Sequence, residues 1–497
     1  MRLGKLIAKS NVTVRAEGAW ERLEVDRIVY DSRAAGENSL FVCIRGFSSD
    51  GHAFAMRAYE AGCRAFLAEV KFSLPPDAAV LYCDNTRLAL AEVSAAFYGF
   101  PARDLTVIGI TGTKGKTTTA LMLAAILNEN GIPTGYIGSN GVDFEGNHYE
   151  TKNTTPESLE LQYYFDRMRE AGCRAVVLEV SSQALYLERV HGIRFEAVAF
   201  TNLAPDHIGG VEHPTFEHYR DCKKKLFDAY GATFAVGNAD DPATAYMLKD
   251  CAALCSSYGI GQGDFHAEDI TPFCEDGELG VAFTLCHFAE RQTVRLPMPG
   301  AFSVYNALCA AALAHLFGVG IAQTAAVLAR TFVRGRFEVV RTPLPAVFII
   351  DYAHNGFSLE SALTTLRAYH PRRLVCVLGS VGGRTVGRRA ELGEAVSRFA
   401  DAAILTADNP DFEDPLAVCA AMREAFVRDI PCETFADRAE AVKFAVETAK
   451  RGDIVLFAGK GHEQYQLIRG GKIPFSERKL IENAAAARAL VQAGGKQ

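Results

Sequence analysis

The sequence predicts an α/β protein with three domains. Its 497 residues correspond to about three domains of ordinary size. Short apolar runs typical of buried strands alternate with stretches of helical periodicity, the order expected for mainly parallel sheets covered by helices. The first block closes at Gly99-Phe100-Pro101 and the last begins near Gly335. We therefore expect the domains to cover residues 1–100, 101–334 and 335–497.

The first two blocks show this alternation element by element. In the first block we expect strands at 40–44 and 64–68, with a helix at 53–61 between them. The central block opens with a continuous apolar run at 105–110, which predicts a strand covered on both faces. A glycine-rich segment follows it, and then a helix over 119–130. The later apolar runs of this block predict further strands at 175–180, 197–200 and 232–236.

The third block has the pattern of a doubly wound sheet, in which helices cover both faces of parallel strands. A helix is predicted over 358–369, and the alanine-rich tail after Ile481 predicts a terminal helix. The strands of this block are predicted at 347–350, 374–378, 402–406 and 454–458.

Composition excludes several classes of protein. Lys and Arg total 52 against 59 for Asp and Glu, so the net charge of −7 argues against a general nucleic-acid binder. No apolar run approaches the about 18 residues of a membrane span, and the N-terminus lacks the pattern of a secretory signal. The 13 cysteines are scattered, as expected for reduced thiols. We expect a cytoplasmic globular protein that does not insert into membranes.

The strongest chemical signal is the loop Gly112-Thr113-Lys114-Gly115-Lys116-Thr117, which lies between a predicted strand and a predicted helix. Helix N-termini attract phosphate because their N–H groups are unpaired and the dipole is positive there. The strict G-x4-G-K-[ST] pattern is not met, because Ile110 occupies the position of its first glycine. The context still favours a nucleotide-binding loop over the alternative, a glycine-rich turn with an exposed lysine.

Polar residues follow the next two strands of the central block. Glu179 ends one strand, and His207 comes soon after the other. Ligands of open parallel sheets bind at the carboxyl ends of the strands, where a carboxylate suits Mg²⁺. Taken alone, a glutamate in this position is more often a capping or loop residue than a metal ligand. Lys223 and the two lysines after it read, taken alone, as a solvated basic face of a helix.

Three loops of the third block also follow strands. They cover residues 351–355, 379–384 and 459–463 and carry charged side chains. Since the carboxyl ends of parallel strands meet at one edge of a sheet, we expect these loops to converge and to contribute substrate contacts.

At this point the ordered motifs resemble the Mur ligases, and within them the MurE type, the UDP-N-acetylmuramoyl-tripeptide synthetases. The resemblance covers essentially the whole chain. It implies an N-terminal UDP-binding α/β domain, a central P-loop ATPase-like domain with a mainly parallel sheet, and a C-terminal Rossmann-like domain. The resemblance rests on an ordered set of motifs. In chain order they are Asp31-Ser32-Arg33, the glycine-rich loop that starts at Gly112, Asn153-Thr154-Thr155, Glu179-Val180-Ser181-Ser182, Thr201-Asn202-Leu203, Asp206-His207, Asn306, Gly335-Arg336, Asp351-Tyr352-Ala353-His354, Asp408-Asn409-Pro410 and Gly459-Lys460-Gly461-His462-Glu463.

The resemblance also implies residue roles. Residues with a catalytic role would be Lys116, Glu179, His207 and Lys223. ATP would be bound by Gly112, Thr113, Lys114, Gly115, Lys116, Thr117, Thr118, Asn306, Arg336, Asp351 and His354. One Mg²⁺ would be held by Thr117 and Glu179, and a second by His207 and Lys223, the last carbamylated to N6-carboxylysine. The UDP-sugar dipeptide would be bound by Ser32, Asn153, Thr154, Thr155, Ser181 and Arg189. The incoming amino acid would be bound by Arg384, Asp408, Asn409, Pro410, Asp411, Gly459 and Glu463.

The activity implied is an ATP-dependent amide ligation in peptidoglycan precursor synthesis, and hence a part in cell wall biogenesis, cell shape and cell division. The cofactors would be ATP and Mg²⁺. The enzyme, a monomer, would add a diamino acid to UDP-N-acetylmuramoyl-L-alanyl-D-glutamate through an acyl phosphate. No nucleic acid is expected as a partner.

Departures from the family pattern cluster in the third domain. Diaminopimelate-adding members carry arginine after Asp-Asn-Pro, whereas this chain has Asp411. An anion there would repel a carboxylate and accept an ammonium, so lysine is favoured over meso-diaminopimelate. Three alternatives stay open: a divergent paralogue, a folylpolyglutamate-synthase-like ligase with another acceptor, and a nucleotide-binding regulatory protein without ligase activity.

Overall fold

The computed structural model describes residues 1–46, 49–206, 208–209, 212–275, 277–383 and 386–494. The chain forms two compact units. The first comprises Met1–His266 with Leu308–Gly320, and the second comprises Ala267–Ala307 with Ile321–Gln497. The domain boundaries inferred at 100 and 334 stay predictions.

The first hundred residues form a five-stranded sheet with helices on both faces. The elements are α1 (Leu3–Lys9), β1 (Arg15–Glu17), β2 (Arg27–Val29), β3 (Ser39–Val42), α2 (Ala55–Glu60), β4 (Ala65–Ala68), β5 (Ala79–Tyr82) and α3 (Thr86–Phe97). The strand order is β1-β5-β4-β3-β2, with β1 antiparallel to β5 and the other neighbours parallel. Helices α1 and α3 pack on one face and α2 on the other. The strands and helix predicted for this block are present, each slightly shorter than expected.

The next segment builds a larger parallel sheet. The elements are β6 (Thr106–Thr111), α4 (Lys116–Glu129), β7 (Thr134–Gly138), β8 (Gly141–Phe144), β9 (Asn147–Tyr149), α5 (Ser158–Glu170), β10 (Ala175–Glu179), α6 (Ser182–Tyr186), β11 (Ala197–Phe200), α7 (Phe216–Asp228), β12 (Phe234–Asn238), α8 (Thr244–Met247) and β13 (Leu254–Ile260). They are ordered β13-β12-β11-β6-β10-β7-β8-β9, and β13 to β7 run parallel. Strand β6 therefore lies between β10 and β11, so their carboxyl ends are neighbours.

Two differences from the prediction arise in this segment. Helix α4 begins at Lys116 rather than at residue 119, because Gly115 takes a left-handed conformation and serves as its N-cap. Strand β12 lies two residues later than the apolar run suggested. The elements that follow β13 were not predicted: β14 (Phe265–Glu275), β15 (Glu278–His287), β16 (Glu290–Leu296), α9 (Ala301–Leu316) and α10 (Ile321–Leu328).

The last segment is a doubly wound sheet, as predicted. Its elements are β17 (Glu338–Val340), β18 (Val347–Asp351), α11 (Gly356–Arg367), β19 (Arg373–Leu378), α12 (Gly387–Phe399), β20 (Ala402–Leu405), α13 (Pro415–Glu424), β21 (Cys432–Thr434), α14 (Arg438–Thr448), β22 (Asp453–Ala458), β23 (Tyr465–Ile468), β24 (Gly471–Pro474) and α15 (Glu477–Gly494). The strand order is β17-β18-β22-β19-β20-β21, with β23 and β24 as a separate hairpin. Only β17 is antiparallel to its neighbour among these six described strands.

The inner strands β18, β19, β20 and β22 are mainly apolar and almost entirely buried, because both faces of the sheet are covered there. Alternate residues point to opposite faces, so Ile349 and Cys376 pack towards α11, α12 and α13, whereas Phe348 and Val377 pack towards α14 and α15. The terminal helix begins at Glu477, four residues before Ile481, the residue after which it was predicted. Across the part of the chain that the structure describes, we find no helix with the length and apolarity needed to cross a bilayer.

Candidate functional site

The glycine-rich loop joins β6 to α4 at the carboxyl edge of the central sheet. Gly112 and Gly115 have φ values of +146° and +87°, a region that favours glycine. A Cβ atom on Gly112 would lie 1.9 Å from Thr201 Oγ1, so no larger residue fits there. Lys116 Nζ donates hydrogen bonds to the carbonyl oxygens of Gly112 (2.9 Å) and Thr113 (3.0 Å). The loop thus combines a helix N-terminus with an ammonium group, the two features that bind phosphate.

The end of β11 holds this loop in shape. Asn202 Oδ1 accepts from Lys114 N at 2.9 Å, and Asn202 Nδ2 donates to Lys114 O at 3.0 Å. Thr201 Oγ1 donates to the same carbonyl at 2.7 Å. These bonds fix the backbone of Lys114, while its side chain pairs with Asp206 (3.5 Å). The loop is therefore preorganised by its neighbouring strand rather than by its own sequence alone.

Glu179 ends β10 beside the loop, and it is fully buried. Its Oε2 accepts from Thr117 Oγ1 at 3.0 Å. Its Oε1 accepts from Tyr136 OH at 2.6 Å and from Ser139 N at 3.0 Å. The structure thus brings together Thr117 and Glu179, the two residues that were predicted to share Mg²⁺. Their oxygen donors fit a hard divalent cation.

Tyr136 and Ser139 were not predicted from the sequence to be part of the site. They lie on β7 and just after it, and the chain carries no local motif that marks them. Gly138 between them is required by the same carboxylate, since a Cβ there would lie 2.1 Å from Glu179 Oε1. We infer that this strand end orients Glu179 towards Thr117.

The substitution Tyr136→Phe tests that orientation. Hydrogen bonds to charged groups contribute about 1.5–3 kcal/mol, and we expect the variant to lose that much in free energy of unfolding. Loss of such an outer partner typically weakens metal affinity about 10–100-fold, so Mn²⁺ binding in a titration should weaken by that factor. The control is Tyr163→Phe, which removes a hydroxyl from a partly exposed ring on α5. Unchanged Mn²⁺ affinity in Tyr136→Phe would contradict the assigned role.

Lys223 is buried on α7 and reaches the same loop. Its Nζ donates to Gly112 O at 2.9 Å and lies 4.3 Å from the centroid of the Tyr219 ring. Burial, and secondarily the charge of Lys116, lowers the pKa of Lys223 well below its ordinary value. The interpretation of a solvated basic face is therefore wrong for Lys223. A lysine with a depressed pKa presents a neutral amine, which is the form that can react with carbon dioxide.

Two of the predicted site residues, His207 and Arg384, lie outside the described residues. The roles assigned to them, a metal ligand and an amino-acid contact, stay predictions.

Four of the residues predicted to bind the UDP-sugar dipeptide are connected by hydrogen bonds to Glu179 or to its neighbours; they are Thr154, Thr155, Ser181 and Arg189. Thr155 Oγ1 donates to the backbone oxygen of Glu179 at 2.7 Å and accepts from Ser181 N at 3.0 Å. Thr154 Oγ1 shares a hydrogen bond of 2.9 Å with Ser139 Oγ. Arg189 NH1 donates to Thr155 O at 3.0 Å. These contacts place the residues predicted to bind the UDP-sugar dipeptide in the central segment directly beside the predicted Mg²⁺ site.

The Ser32 segment belongs to the same compact unit. Ser32 is buried and begins a short 3₁₀ turn that Asp31 caps by accepting from Arg33 N. Two residues earlier, Tyr30 OH donates to Glu160 Oε1 on α5 at 2.5 Å. Asn153 lies in the loop before α5. The first domain and the Thr154 loop are thus linked through α5.

In the second unit, a group of predicted ATP residues surrounds the end of β18. The Asp351 carboxylate accepts from Phe337 N (2.9 Å) and Ala353 N (2.8 Å), and burial raises the pKa of this carboxyl. Arg336 lies over the Tyr352 ring at 4.9 Å from its centroid. His354 Nδ1 donates to Tyr352 O at 2.8 Å. Asp351 therefore orders the backbone that presents Arg336 and His354.

Asn306, the remaining predicted ATP residue, is buried on α9. Tyr352, which the sequence analysis left without a role, is the ring against which Arg336 and His354 both pack. Its position inside the Asp351–His354 motif was the signal that could have identified it.

Several residues predicted to bind the incoming amino acid surround Lys460, a lysine for which the sequence predicted no role. Lys460 is fully buried, and its Nζ donates to Asn409 Oδ1 (2.9 Å) and Glu463 Oε2 (2.5 Å). Asp408 Oδ1 lies 3.6 Å away. Gly459 has φ +104°, and a Cβ there would lie 2.9 Å from Asp408 Oδ2. The loops after β20 and β22 are thus joined by one ammonium group.

Asp411 has a structural use in addition to any contact with substrate. Its N–H donates to Leu467 O (2.9 Å), its carbonyl accepts from Arg469 N (2.8 Å), and its Oδ1 accepts from Gly470 N (2.7 Å). The residue therefore clamps the turn of the β23–β24 hairpin. Pro410 directly precedes it in the same loop.

Glu413 holds the loop from the other side. Its carboxylate forms two hydrogen bonds with Arg389 (2.8 and 2.6 Å) and accepts from Gly383 N. The Arg389 guanidinium and the Gly383 N–H lower the pKa of this carboxyl. The loop that carries Asp408 to Asp411 is thus anchored at both ends.

Three family models match successive parts of the chain. The model described as "Mur ligase family, catalytic domain" matches residues 24–98. "Mur ligase middle domain" matches residues 110–314, and "Mur ligase, glutamate ligase domain" matches residues 335–461. These matches confirm the predicted three-domain α/β organisation.

Individual proteins extend the similarity over the whole chain. The UDP-N-acetylmuramoyl-L-alanyl-D-glutamate–2,6-diaminopimelate ligase of Bacillus licheniformis is 39% identical over 493 residues, which cover 97% of this chain and 99% of the relative. A solved structure with the same enzyme name has a TM-score of 0.70 at 26% identity and covers 98% of this chain and 100% of its own. A Mycobacterium tuberculosis folylpolyglutamate synthase complexed with ADP and AMPPCP shares the fold, with a TM-score of 0.59 at 18% identity over 81% of this chain and 95% of its own.

Proposed function

This chain belongs to the Mur ligase family, and from that premise we propose that it adds a diamino acid to UDP-MurNAc-L-Ala-D-Glu. It is an ATP-dependent ligase that joins an acid to an amino acid. The proposed reaction supplies the third amino acid of the peptidoglycan precursor, in the cytoplasm, where ATP and UDP-linked precursors are found. We propose that the chain acts as a monomer.

One observation supports the ligase chemistry most directly. The carbonyl of Gly112 accepts hydrogen bonds from both Lys116 and Lys223, and Thr117 at the start of α4 contacts Glu179. Two lysines, a hydroxyl and a carboxylate thus meet around one phosphate-binding loop. A protein that only binds nucleotide needs the phosphate loop and Lys116, but it does not need a second buried lysine beside the loop.

The proposed mechanism follows from charge. The γ-phosphoryl group of ATP is transferred to the side-chain carboxylate of D-Glu, and the resulting acyl phosphate is attacked by the free amine, with release of phosphate and ADP. Lys116 offsets the repulsion between the two anions as they approach. Thr117 and Glu179 would hold Mg²⁺, which neutralises phosphate charge when bound. Asn202 and Thr201 keep the loop backbone in place throughout.

The identity of the amine is the finer part of the proposal. We propose meso-diaminopimelate, because the names of the relatives, at about 39% identity over nearly the full length, specify 2,6-diaminopimelate. Lysine is the second candidate, favoured by Asp411 in place of the family arginine. The lysine preference that the sequence suggested is not supported by those names. One Asp411 oxygen is also engaged by Gly470 N.

The function is tested by amine-dependent release of ADP in a coupled assay. UDP-MurNAc-L-Ala-D-Glu and Mg²⁺-ATP are supplied with meso-diaminopimelate, L-lysine or L-ornithine in separate reactions. We expect turnover with meso-diaminopimelate to exceed that with lysine. The reverse order would favour the Asp411 interpretation.

Two further outcomes would exclude the ligase as proposed. Turnover with a folate acceptor and glutamate, without turnover on the UDP-linked acceptor, would favour the folylpolyglutamate-synthase-like alternative. Binding of ATP without turnover of any acceptor would favour a regulatory protein. An acceptor-free reaction measures background hydrolysis.

We further propose that Lys223 is carbamylated. Its neutral amine attacks carbon dioxide, an N–C bond forms and one proton is released, which leaves an anionic oxygen donor suited to Mg²⁺. Two features support this modification: the burial of the side chain and the depressed pKa of its amine.

Substitution of Lys223 tests the carbamate. Lys223→Arg keeps a long basic side chain but cannot carry a carbamate, and we expect kcat to fall by at least about 100-fold, as for other lost electrostatic groups. In ¹³C-bicarbonate the wild-type enzyme should show a carbamate signal by NMR that Lys223→Arg lacks. The matched control is Lys225→Ala, whose more exposed side chain pairs with Glu188. Full activity of Lys223→Arg, or a carbamate signal that survives it, would overturn the assignment.

A further inference from the structure

A second group of side chains that could bind a metal ion lies on α7 and in the segment just before it, outside the residues used above. The donor atoms of His213, His218 and Cys222 all lie within 4.8 Å of one another. His218 and Cys222 are four residues apart on α7 and therefore share a face of the helix. His213 comes from the segment before α7, where its backbone oxygen accepts from Gly209 N. Two elements of structure thus supply the three donors.

The donor atoms already contact one another. His213 is fully buried, and its Nδ1 lies 2.9 Å from His218 Nδ1. Cys222 Sγ lies 3.9 Å from both ring nitrogens of His218. Two Nδ1 atoms at this distance require either a shared proton or a cation, because two lone pairs would otherwise repel each other.

The second ring nitrogen of His213, Nε2, has a hydrogen-bond partner of the kind that supports metal-binding histidines. This nitrogen lies 2.9 Å from Ser182 Oγ at the start of α6. Metal-binding histidines commonly form a hydrogen bond with the ring nitrogen that does not bind the metal, and this fixes the tautomer and the ring. A proton on Nε2 that is donated to Ser182 leaves Nδ1 available as a ligand. His218 is half-buried, so an ion has a route from solvent.

We propose that His213, His218 and Cys222 form a binding site for Zn²⁺ or a similar borderline divalent cation. Imidazole and thiolate donors select such ions, whereas Mg²⁺ prefers oxygen. Three protein ligands leave a fourth tetrahedral position for water. The ion would tie α6, through Ser182 and His213, to α7, in which Cys222 directly precedes Lys223. Metal binding at these three residues requires neither nucleotide nor acceptor.

The test measures metal binding by the metal-free, tag-free full-length enzyme, without nucleotide or amine. Equilibrium dialysis against Zn²⁺ in excess Mg²⁺ should give one tightly bound Zn²⁺ per chain. Addition of Co²⁺ should give a thiolate-to-cobalt charge-transfer band in the near ultraviolet. Cys222→Ser should abolish that band. The matched control Cys255→Ser, which replaces an exposed cysteine on β13, should retain it.

A milder variant keeps the test decisive if a ligand substitution unfolds the protein. Ser182→Ala keeps all three ligands and removes the hydrogen bond to His213, so we expect Zn²⁺ affinity to weaken about 10–100-fold. Folding of each variant is checked by thermal denaturation. Absence of stoichiometric Zn²⁺, a charge-transfer band that persists in Cys222→Ser, or unchanged affinity in Ser182→Ala would show that the histidines form only a hydrogen-bonded pair. Because no acceptor is present, failure of this site leaves the proposed function untouched.

Discussion

Replacing Lys116 with alanine should reduce amine-dependent ADP release to near background. The Lys116 ammonium lies across the phosphate loop and donates to the carbonyls of Gly112 and Thr113. When a triphosphate enters, the same group can turn to its oxygens without a change in the backbone. Loss of one preorganised electrostatic group of this kind typically lowers kcat about 10²–10³-fold, or about 2.7–4 kcal/mol. Steady-state kinetics with saturating acceptor and amine measure this loss.

The fold should tolerate this substitution. Lys116 is only partly buried, and the hydrogen bonds that it donates go to carbonyl oxygens of its own loop. We expect the free energy of unfolding to change by no more than about 1 kcal/mol, the typical size of a hydrogen bond's net contribution. The control is Lys71→Ala, since Lys71 forms an exposed ion pair with Glu17 in the first domain. Activity of Lys116→Ala within tenfold of the wild type would contradict the role of the loop.

The substitution Lys460→Met should cost both stability and amine binding. The Lys460 ammonium is fully buried and joins Asp408, Asn409 and Glu463. Its removal leaves the buried Asp408 and the partly buried Glu463 without their common cation, and breaking a buried ion pair in this way costs about 3–5 kcal/mol. We expect unfolding at a clearly lower denaturant concentration. We also expect a raised KM for the amine, because the loops after β20 and β22 lose their common partner.

An exposed lysine in the same unit provides the comparison. Lys443 pairs with Glu447 on the surface of α14, and exposed pairs contribute about 0–1 kcal/mol, so Lys443→Met should behave like the wild type. A raised KM for ATP rather than for the amine in Lys460→Met would place this cluster in nucleotide binding. A stability equal to that of the wild type would show that Asp408 and Glu463 do not depend on Lys460.

Several features of the site could be predicted because they are local in the chain. The glycines and lysine of the phosphate loop stand next to each other in the sequence, and so do the strand before them and the helix after them. Glu179 could be placed because it ends an apolar run. Lys223 was misjudged from its neighbours: a run of lysines suggests a solvated face, but the register of α7 turns Lys223 inward and leaves Lys225 more exposed.

Other features depend on which strands become neighbours. Tyr136 meets Glu179 because β7 lies beside β10, and Thr201 and Asn202 meet the phosphate loop because β11 lies beside β6. Lys460 meets Asp408 and Asn409 because several strands end at one edge of the C-terminal sheet. These partners are about 40 to 90 residues apart in the chain, so no pattern of neighbouring residues marks them.

By itself, the sequence determined the α/β alternation, the strand and helix on either side of the phosphate loop, the motif set of the family and the negative net charge. These properties depend on apolar periodicity, turn residues and composition, which act over a few residues at a time. Only the tertiary structure decided which side chains orient Glu179, that Lys223 is buried, and that Lys460 joins the loops after β20 and β22. It also decided that His213, from the segment before α7, meets His218 and Cys222 on that helix. Such contacts arise when non-consecutive strands and helices pack together, and packing selects partners by their position in space rather than by their separation along the chain.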